Sequence, residues 1–470
     1  MSGAVQSASG PSAFARTSRT AGALAGELSG WAWIAVGALA LAGVFALLLA
    51  LSRVPGMDKA PLWPIGFFYK GLVIHVIFSL VIWLLGVFAF LATVATREAA
   101  GDQVRAQAFG RVGQGIALIA FPCLFAPAFL DQAQPELTNY VPLLRHPLYD
   151  LGLILLALGV LAPLVRLFVN LPGRRPLPAL TLAMALAGFV FVLALVSFIV
   201  AGILLAREDP LLTDREALFW GGGHLLQFVY AILLVTNWRI LALRSLGQKA
   251  VDDDIFRLAV WIIAIFAIPG PMFYRVFEPF SDKQHDAFRL LQFGLALPML
   301  VFAIALFANA RAALGPQRWP WRDPGFFTLA ASLALFALGG IMGLLISGSD
   351  TRTPAHYHAV VTAVSVSSAG MLLTFGLDEL GLRPVSARAT RWLIGLYAGG
   401  QFVASIGMFV AGGYGALRKT PTGVGSLDPV AAAGMAVHGI ASIVTILGGA
   451  AFVVIAIRAL ARPKTAGAAP

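Results

Sequence analysis

Charge is scarce in this sequence. Of 470 residues, only 12% are Asp, Glu, Lys or Arg, about half the share in an average soluble chain. With 59% hydrophobic residues and a mean hydropathy of +0.85, that scarcity excludes an ordinary soluble enzyme. It also excludes intrinsic disorder, which needs the opposite balance. Cysteine is nearly absent. Cys123 stands alone, so there is no internal disulfide, no Cys-based zinc site and no Cys-ligated iron–sulfur cluster. Lys and Arg outnumber Asp and Glu by 33 to 22, yet no dense basic run is interleaved with aromatics. The excess reads as membrane topology, not as a nucleic-acid footprint.

What the chain does have is long apolar runs. A spanning helix needs about 20 mostly apolar residues. Twelve such runs are present: 31–52, 69–95, 111–132, 148–169, 178–206, 217–243, 256–274, 286–310, 325–347, 354–377, 390–412 and 431–460. Short loops rich in Gly, Pro and charge separate them, such as Leu171-Pro172-Gly173-Arg174-Arg175-Pro176. The expected fold is all-α, a polytopic bundle of twelve transmembrane helices over 29–462. Residues 1–28, rich in Ala, Ser and Gly, are expected to be disordered and lack the apolar core of a cleaved signal. Residues 463–470 form a tail. Lys and Arg concentrate in cytoplasmic loops. An N-terminus inside puts 21 of the 33 basic residues on that side and 12 on the other. Both termini are therefore expected in the cytoplasm, with the chain in a bacterial inner membrane.

Ionisable side chains are costly in a bilayer and mark function by default. There are seven histidines: His75, His146, His224, His285, His356, His358 and His438. In this topology runs 2, 6, 10 and 12 all travel from outside to inside. His75, His224, His356, His358 and His438 fall in the first third of those runs, and His146 and His285 at outer loop edges. All seven thus lie near the outer face. A shared prosthetic group is the economical explanation, because imidazole is a common axial ligand of haem iron and a good copper ligand. In His356-Tyr357-His358, positions two apart on a helix differ by about 200°. The two rings cannot bind one metal, but each can bind a different haem on either side of the helix.

The arrangement resembles the twelve-helix catalytic subunit I of the haem–copper oxidase superfamily, which includes cytochrome oxidases and nitric oxide reductases. The resemblance lies in a His early in helix 2, a His early in helix 6 and a His-aromatic-His early in helix 10, and it covers roughly residues 31 to 460. It implies that His75 and His358 clamp a low-spin haem and that His356 is the proximal ligand of a high-spin haem, both b-type or related. It implies that His224, in Trp220-Gly221-Gly222-Gly223-His224, is a ligand of a second metal, Cu or Fe. Between helices 11 and 12, Arg418 and Lys419 stand where a basic pair would neutralise haem propionates.

The chain also departs from that family. Helix 7 reads Ile268-Pro269-Gly270-Pro271-Met272-Phe273-Tyr274 where two adjacent histidines would complete the second metal site. The nearest histidine is His285, some eleven residues past Tyr274, with Asp286 or Glu278 as oxygen donors to a substitute site. Metal loss and metal replacement both stay open. Phe228 stands four residues after His224, where oxygen reductases commonly carry a tyrosine, and the helix 6 glutamates of nitric oxide reductases are absent too. Gln114, Gln227, Asn237 and Gln401 are scattered through spans too apolar for a proton channel to be traced.

The resemblance implies an oxidoreductase that passes electrons from an outer donor through the low-spin haem to the high-spin haem, where O2 or NO binds. The chain has no Cys-X-X-Cys-His motif and no cupredoxin-like region. The donor would be another subunit, a soluble cytochrome or cupredoxin, or quinol. A second reading is a non-catalytic dihaem protein, for electron transfer or gas sensing, that has lost the second metal. A third, a haem-free transporter, leaves the one-sided histidines unexplained.

Overall fold

The computed structural model describes residues 21–51, 68–101, 103–138, 141–173, 176–208, 211, 214–346, 350–418 and 427–462. Among them are twelve helices long and apolar enough to cross a membrane. They are α1 (Leu24–Leu49), α2 (Phe68–Ala100), α3 (Gln107–Phe129), α4 (Pro147–Val169), α5 (Ala179–Glu208), α6 (Arg215–Leu246), α7 (Asp253–Val276), α8 (Asp282–Leu314), α9 (Pro324–Gly343), α10 (Arg352–Glu379), α11 (Ala387–Gly413) and α12 (Pro429–Leu460). Each matches one apolar run of the sequence. The chain is an integral membrane protein with an all-α, twelve-helix bundle.

Local sequence sets where these helices begin. Asp214, Asp252, Asp323, Ser386 and Asp428 each accept a backbone N–H with the side chain at the start of α6, α7, α9, α11 and α12. Such caps satisfy amides that the first turn leaves without partners. Pro147, Pro324 and Pro429 stand within the first turn, where no amide hydrogen is needed. A two-stranded hairpin, β1 (Gln134–Glu136) antiparallel to β2 (Leu143–Arg145), joins α3 to α4.

One boundary differs from expectation. Helix begins at Ala21, so residues 21–28 are helical rather than disordered. The cause is Glu27, whose carboxylate pairs with the Arg166 guanidinium of α4, both side chains almost fully buried. Thr93 of α2 donates to Glu27 at 2.9 Å and accepts from Arg166 at 3.2 Å. A charge buried this way holds its segment in place. Residues 1–20 and the tail 463–470 lie outside the described residues.

Packing separates central from peripheral helices. The apolar windows of α10 and α6 are 83% and 78% buried, against 22% for α8 and 28% for α12. A hydrocarbon solvent gives no hydrophobic force between spans, so close approach of small residues substitutes. Between α11 and α12, a Cβ on Gly407 would lie 2.6 Å from the Gly434 carbonyl oxygen, so the two backbones touch. At the opposite end from the histidines, ion pairs tie the C-terminal ends of the central helices. Arg97 of α2 pairs with Glu379 of α10, and Arg244 of α6 pairs with Asp378 of α10. Arg239 of α6 pairs with Asp253 of α7 at 2.8 Å.

Candidate functional site

Those ion pairs give a common zero from which depth can be counted. Going back along the chain, His75 is 22 residues from Arg97, and His358 is 21 from Glu379. His224 is 20 residues from Arg244, and His356 is 22 from Asp378. At about 1.5 Å per residue these are ~30–33 Å. α2 and α10 each carry one π-helical stretch, Ile77–Ile82 and Leu372–Gly376, so the correction applies to both. Four histidines on three helices that share an end therefore lie in one layer near the other end. His438 falls outside it. Trp83 of α2 and Phe452 of α12 touch at 5.7 Å between ring centroids. His75 is 8 residues before that contact and His438 is 14 before it, so His438 sits ~9 Å nearer the end.

The ring hydrogen bonds of the layer share a pattern. His75 Nδ1 lies 3.0 Å from the Ala42 carbonyl oxygen on α1, and His356 Nδ1 lies 2.7 Å from that of Gly339 on α9. His224 Nδ1 lies 2.7 Å from the Trp220 carbonyl oxygen, and His285 Nδ1 3.0 Å from that of Ser281. His438 does the same to Ala404, at 3.2 Å. A carbonyl oxygen only accepts, so Nδ1 carries a proton and Nε2 is the ring nitrogen left to act as a ligand. This is the tautomer of metal-ligating histidines, with the ring oriented by the bond it donates. His146 has the reverse arrangement. Its Nδ1 accepts from the Leu148 amide at 3.1 Å and caps α4, so it is a structural residue. His358 stacks on Tyr357, with ring centroids 5.2 Å apart and 27° between planes. Tyr357 is 46% exposed although it lies in the most buried helix of the bundle.

His285 stands at the edge of the corner between α7 and α8, as expected. It lies in the first turns of α8 (Asp282–Leu314), whose start is capped by Ser281. The corner between α7 and α8 folds inward because Gln284 braces it. Its side chain accepts from the Phe280 amide at 2.8 Å and donates to the Phe273 carbonyl at 3.3 Å. That brace holds Phe280 at the left-handed φ of 61°, a costly conformation for a residue with a Cβ. The fold brings His285 to His224 through one indole. The Trp220 ring centroid is 4.6 Å from that of His224 and 4.8 Å from that of His285. Asp286 and Glu278 do not join them. Both are exposed, and Asp286 pairs with Arg289 on the surface. Among the described residues, no group of three or more His, Cys, Asp or Glu could hold a metal ion.

The loop from α11 to α12 is pinned to the start of α10. Asp350 forms a β-bridge with Leu417, and the Thr351 amide donates to the Ala416 carbonyl at 2.9 Å. Thr351 Oγ donates to the Met408 carbonyl at 2.8 Å. Arg352 forks onto Asp350, with Nε 3.0 Å and Nη2 2.7 Å from Oδ2, and this holds the Asp350 carboxyl below the usual carboxylate range. Arg418 is close enough to act electrostatically on both Asp350 and Tyr357. Lys419 lies outside the described residues. Sequence reading found Arg418 but missed the clasp, because a β-bridge between distant loops leaves no local pattern.

Comparisons with known proteins agree with this architecture. The family described as cytochrome c and quinol oxidase polypeptide I matches residues 29–451. An uncharacterized protein of Aquifex aeolicus (strain VF5) is 29% identical over 359 residues, covering 75% of this chain and 84% of that protein. An uncharacterized protein of Rickettsia prowazekii (strain Madrid E) is 23% identical over 488 residues, covering 90% and 94%. Among solved structures, a heme-copper terminal oxidase dimer determined by cryo-EM has a similar fold at TM-score 0.76 and 18% identity. The match covers 94% of this chain and 85% of that one.

Proposed function

The chain belongs to the cytochrome c and quinol oxidase polypeptide I family, and from that premise we propose that it is a dihaem membrane protein that passes electrons to a bound diatomic gas. The Aquifex and Rickettsia relatives are uncharacterized, so the finer reading rests on this chain's own residues. The observation that carries it is the layer. His75, His224, His356 and His358 share one depth, and in three of them a backbone carbonyl engages Nδ1, so that Nε2 is the ring nitrogen that would ligate a metal. In this reading His75 and His358 hold the low-spin haem between α2 and α10, and His356 holds the high-spin haem on the opposite face of α10.

The residues fit haem. The donor set is imidazole with its other nitrogen fixed by a backbone carbonyl, and Tyr357 stands half-exposed between the two ligating positions. Bound haem supplies a one-electron iron couple and, where one axial position is open, a place for O2 or NO. The chain supplies position and charge. The Ala42 and Gly339 carbonyls fix the rings of His75 and His356. The Asp350–Arg352 clasp keeps the Arg418 loop on the start of α10, where its guanidinium would pair with the anionic groups of a bound haem. The electron donor would be a second subunit, a soluble cytochrome or cupredoxin, or quinol, reaching the histidine-bearing end. With both termini cytoplasmic, that end is the outer one.

The residues do not fit a three-imidazole copper site. His224 and His285 offer two imidazoles, and the nearest carboxylates face away. This donor shortage favours the second reading, a dihaem electron-transfer or gas-sensing protein with slow or absent turnover. Purified protein tests both at once through its reduced-minus-oxidised spectrum and its iron and copper content. Two haems per chain, one binding CO, with copper well below one per chain, is the expected result. Protein without haem refutes the function. Stoichiometric copper with fast oxygen consumption refutes the non-catalytic reading.

A further inference from the structure

Three arginines gather where α9 and α11 begin, at the ion-paired end of the bundle. The two helices run in the same direction, and a Cβ on Gly395 of α11 would lie 3.6 Å from the Phe327 ring of α9. Arg322, Arg391 and Arg388 stand four to seven residues before that contact. On the same side of the bundle Arg97, Arg166, Arg239 and Arg244 are each tied to a carboxylate. Arg322, Arg388 and Arg391 pair with no carboxylate among the described residues. An excess of Lys and Arg on the cytoplasmic side is general in membrane proteins. It does not explain Arg391 Nε, which is buried without a hydrogen-bond partner. A charged donor left this way is costly.

Beside these arginines the lipid-facing surface is hollow. Trp321, Phe327, Ala330, Ala334, Gly395 and Gly399 line an apolar groove of about 300 Å³ between α9 and α11. A second apolar groove, of about 390 Å³, runs between α11 and α12 past Val403, Val437, Ile440 and Val444. Gly395 and Gly399 line both, so the grooves meet where α11 carries no side chain. At 3.6 residues per turn, Arg388, Gly395 and Gly399 fall within about 40° of one another, with Arg391 and Trp392 on either flank. From Arg391 to Val403 is about 18 Å, a little over half the ~30 Å hydrocarbon core. The grooves therefore have the depth of one leaflet, whereas a partner's spanning helix needs a face across the whole core. Trp321 and Trp392 are exposed at the mouth, the level that indoles favour. Trp321 is held there edge-on to Phe326, at 5.0 Å between ring centroids.

We propose that these grooves bind an anionic phospholipid of the leaflet on the ion-paired side, the inner one when both termini are cytoplasmic. One acyl chain lies in each groove, to either side of Gly395 and Gly399, and the phosphate meets Arg388, Arg391 and Arg322. Lipid chains already surround the bundle, so filling the grooves brings no hydrophobic gain by itself. Selectivity has to come from the headgroup. Phosphate supplies the acceptor that Arg391 lacks, and a guanidinium forks onto it with two parallel hydrogen bonds. Each basic residue at an anionic membrane surface is worth about five-fold in affinity. The site lies at the opposite end from the histidine layer and owes nothing to a haem.

Native mass spectrometry of the purified full chain, titrated with dioleoyl phosphatidylglycerol or dioleoyl phosphatidylcholine, tests the site. Wild type should prefer the anionic lipid. Arg388→Gln with Arg391→Gln should weaken phosphatidylglycerol binding about 25-fold and leave phosphatidylcholine unchanged. Arg105→Gln with Arg111→Gln, exposed on the same side at the start of α3, should change neither. A Cβ on Gly399 meets nothing within 4 Å, so Gly399→Leu fills the groove without disturbing the bundle. It should abolish the preference with every arginine in place. Equal affinity of wild type for the two lipids overturns the proposal, as does an equal loss in the α3 pair, which would be surface charge alone. Unchanged phosphatidylglycerol binding in Gly399→Leu also overturns it. A wild-type dimer that Gly399→Leu splits, with lipid binding unchanged, would give the groove to a second copy of the chain instead.

Discussion

Replacing Glu27 with Leu, keeping Arg166, isolates the clearest energetic feature of the bundle. Both side chains of the pair are almost fully buried, and Thr93 is hydrogen-bonded to each. Removing one partner of such a pair leaves an uncompensated buried charge, a loss of ~3–5 kcal/mol. Arg166→Met, keeping Glu27, should cost about the same. Replacing both removes the charge problem altogether, and apolar side chains of similar volume can then be close to neutral. The double variant should therefore lie within about 1 kcal/mol of wild type, a coupling of at least ~5 kcal/mol. The residual cost comes from Thr93, which loses its two side-chain partners and keeps its hydrogen bond to the Ala89 carbonyl at 2.9 Å. The assay is reversible unfolding in mixed micelles with rising SDS, followed by tryptophan fluorescence, on all four proteins of the cycle. Absorption spectra should not change, because the pair lies at the end of the bundle away from the histidines. Single variants costing under ~1 kcal/mol refute the reasoning, as does a double variant as unstable as the worse single.

Other expectations follow from the site. His75→Ala and His358→Ala should each abolish the low-spin signal and leave CO binding intact, while His356→Ala should do the reverse; identical spectra for all three would overturn the haem assignment. The Asp350 carboxyl is depressed in the folded protein by the Arg352 fork. Its stabilisation of the clasp is fully present above the unfolded value near 3.9 and is lost as pH falls through the lower folded value. Hydrogen exchange at 414–418 should accordingly stay slow down to about pH 4 and quicken below it. Asp350→Asn should show quick exchange at all pH values, and unchanged slow exchange would refute the clasp. A periplasm-only reporter fused after Pro470 should be silent and a cytoplasmic one active; the opposite result would invert the sidedness of the histidine layer.

The twelve spans were fully legible, because a run of about 20 apolar residues has few alternatives in a chain with 12% charge. The layer was legible for a simpler reason: depth in a spanning helix is close to linear in residue number. What the sequence hid were pairings between distant segments. Glu27 reads as part of an Ala/Ser/Gly-rich tail, yet Arg166, 139 residues on, makes it a core residue. His285 reads as a loop histidine until the Gln284 brace turns the corner inward. Asn237 reads as an isolated amide in an apolar helix. Its partners Ser367 and Ser368 are more than 100 residues away. The seam they form looks like scattered serines until the helices are assembled.

The missing histidine pair of α7 has a structural counterpart that the three glycines of α6 make visible. A metal beside His224 needs donors from the facing helix, and α7 does face it there. What α7 presents is close packing. A Cβ on Gly270 would come within 2.7 Å of the Leu225 side chain, so α7 rests its backbone on the residue that follows His224. The Tyr274 hydroxyl lies against Gly221, where any Cβ would overlap it, and a Cβ there would also come within 2.6 Å of the Phe288 ring. Gly222 in turn receives the Phe198 ring of α5. Trp220-Gly221-Gly222-Gly223-His224 is thus a groove filled by Tyr274, Phe198 and Phe288, with Trp220 wedged between the two imidazoles. An active three-imidazole site would need this space for rings that ligate. Here it holds rings that pack, and the single tyrosine among them points its hydroxyl at α6, one turn from His224. The space beside His224 between α6 and α7 is therefore filled by packed aromatic rings, which is the structural reason that α7 supplies no second ligand there.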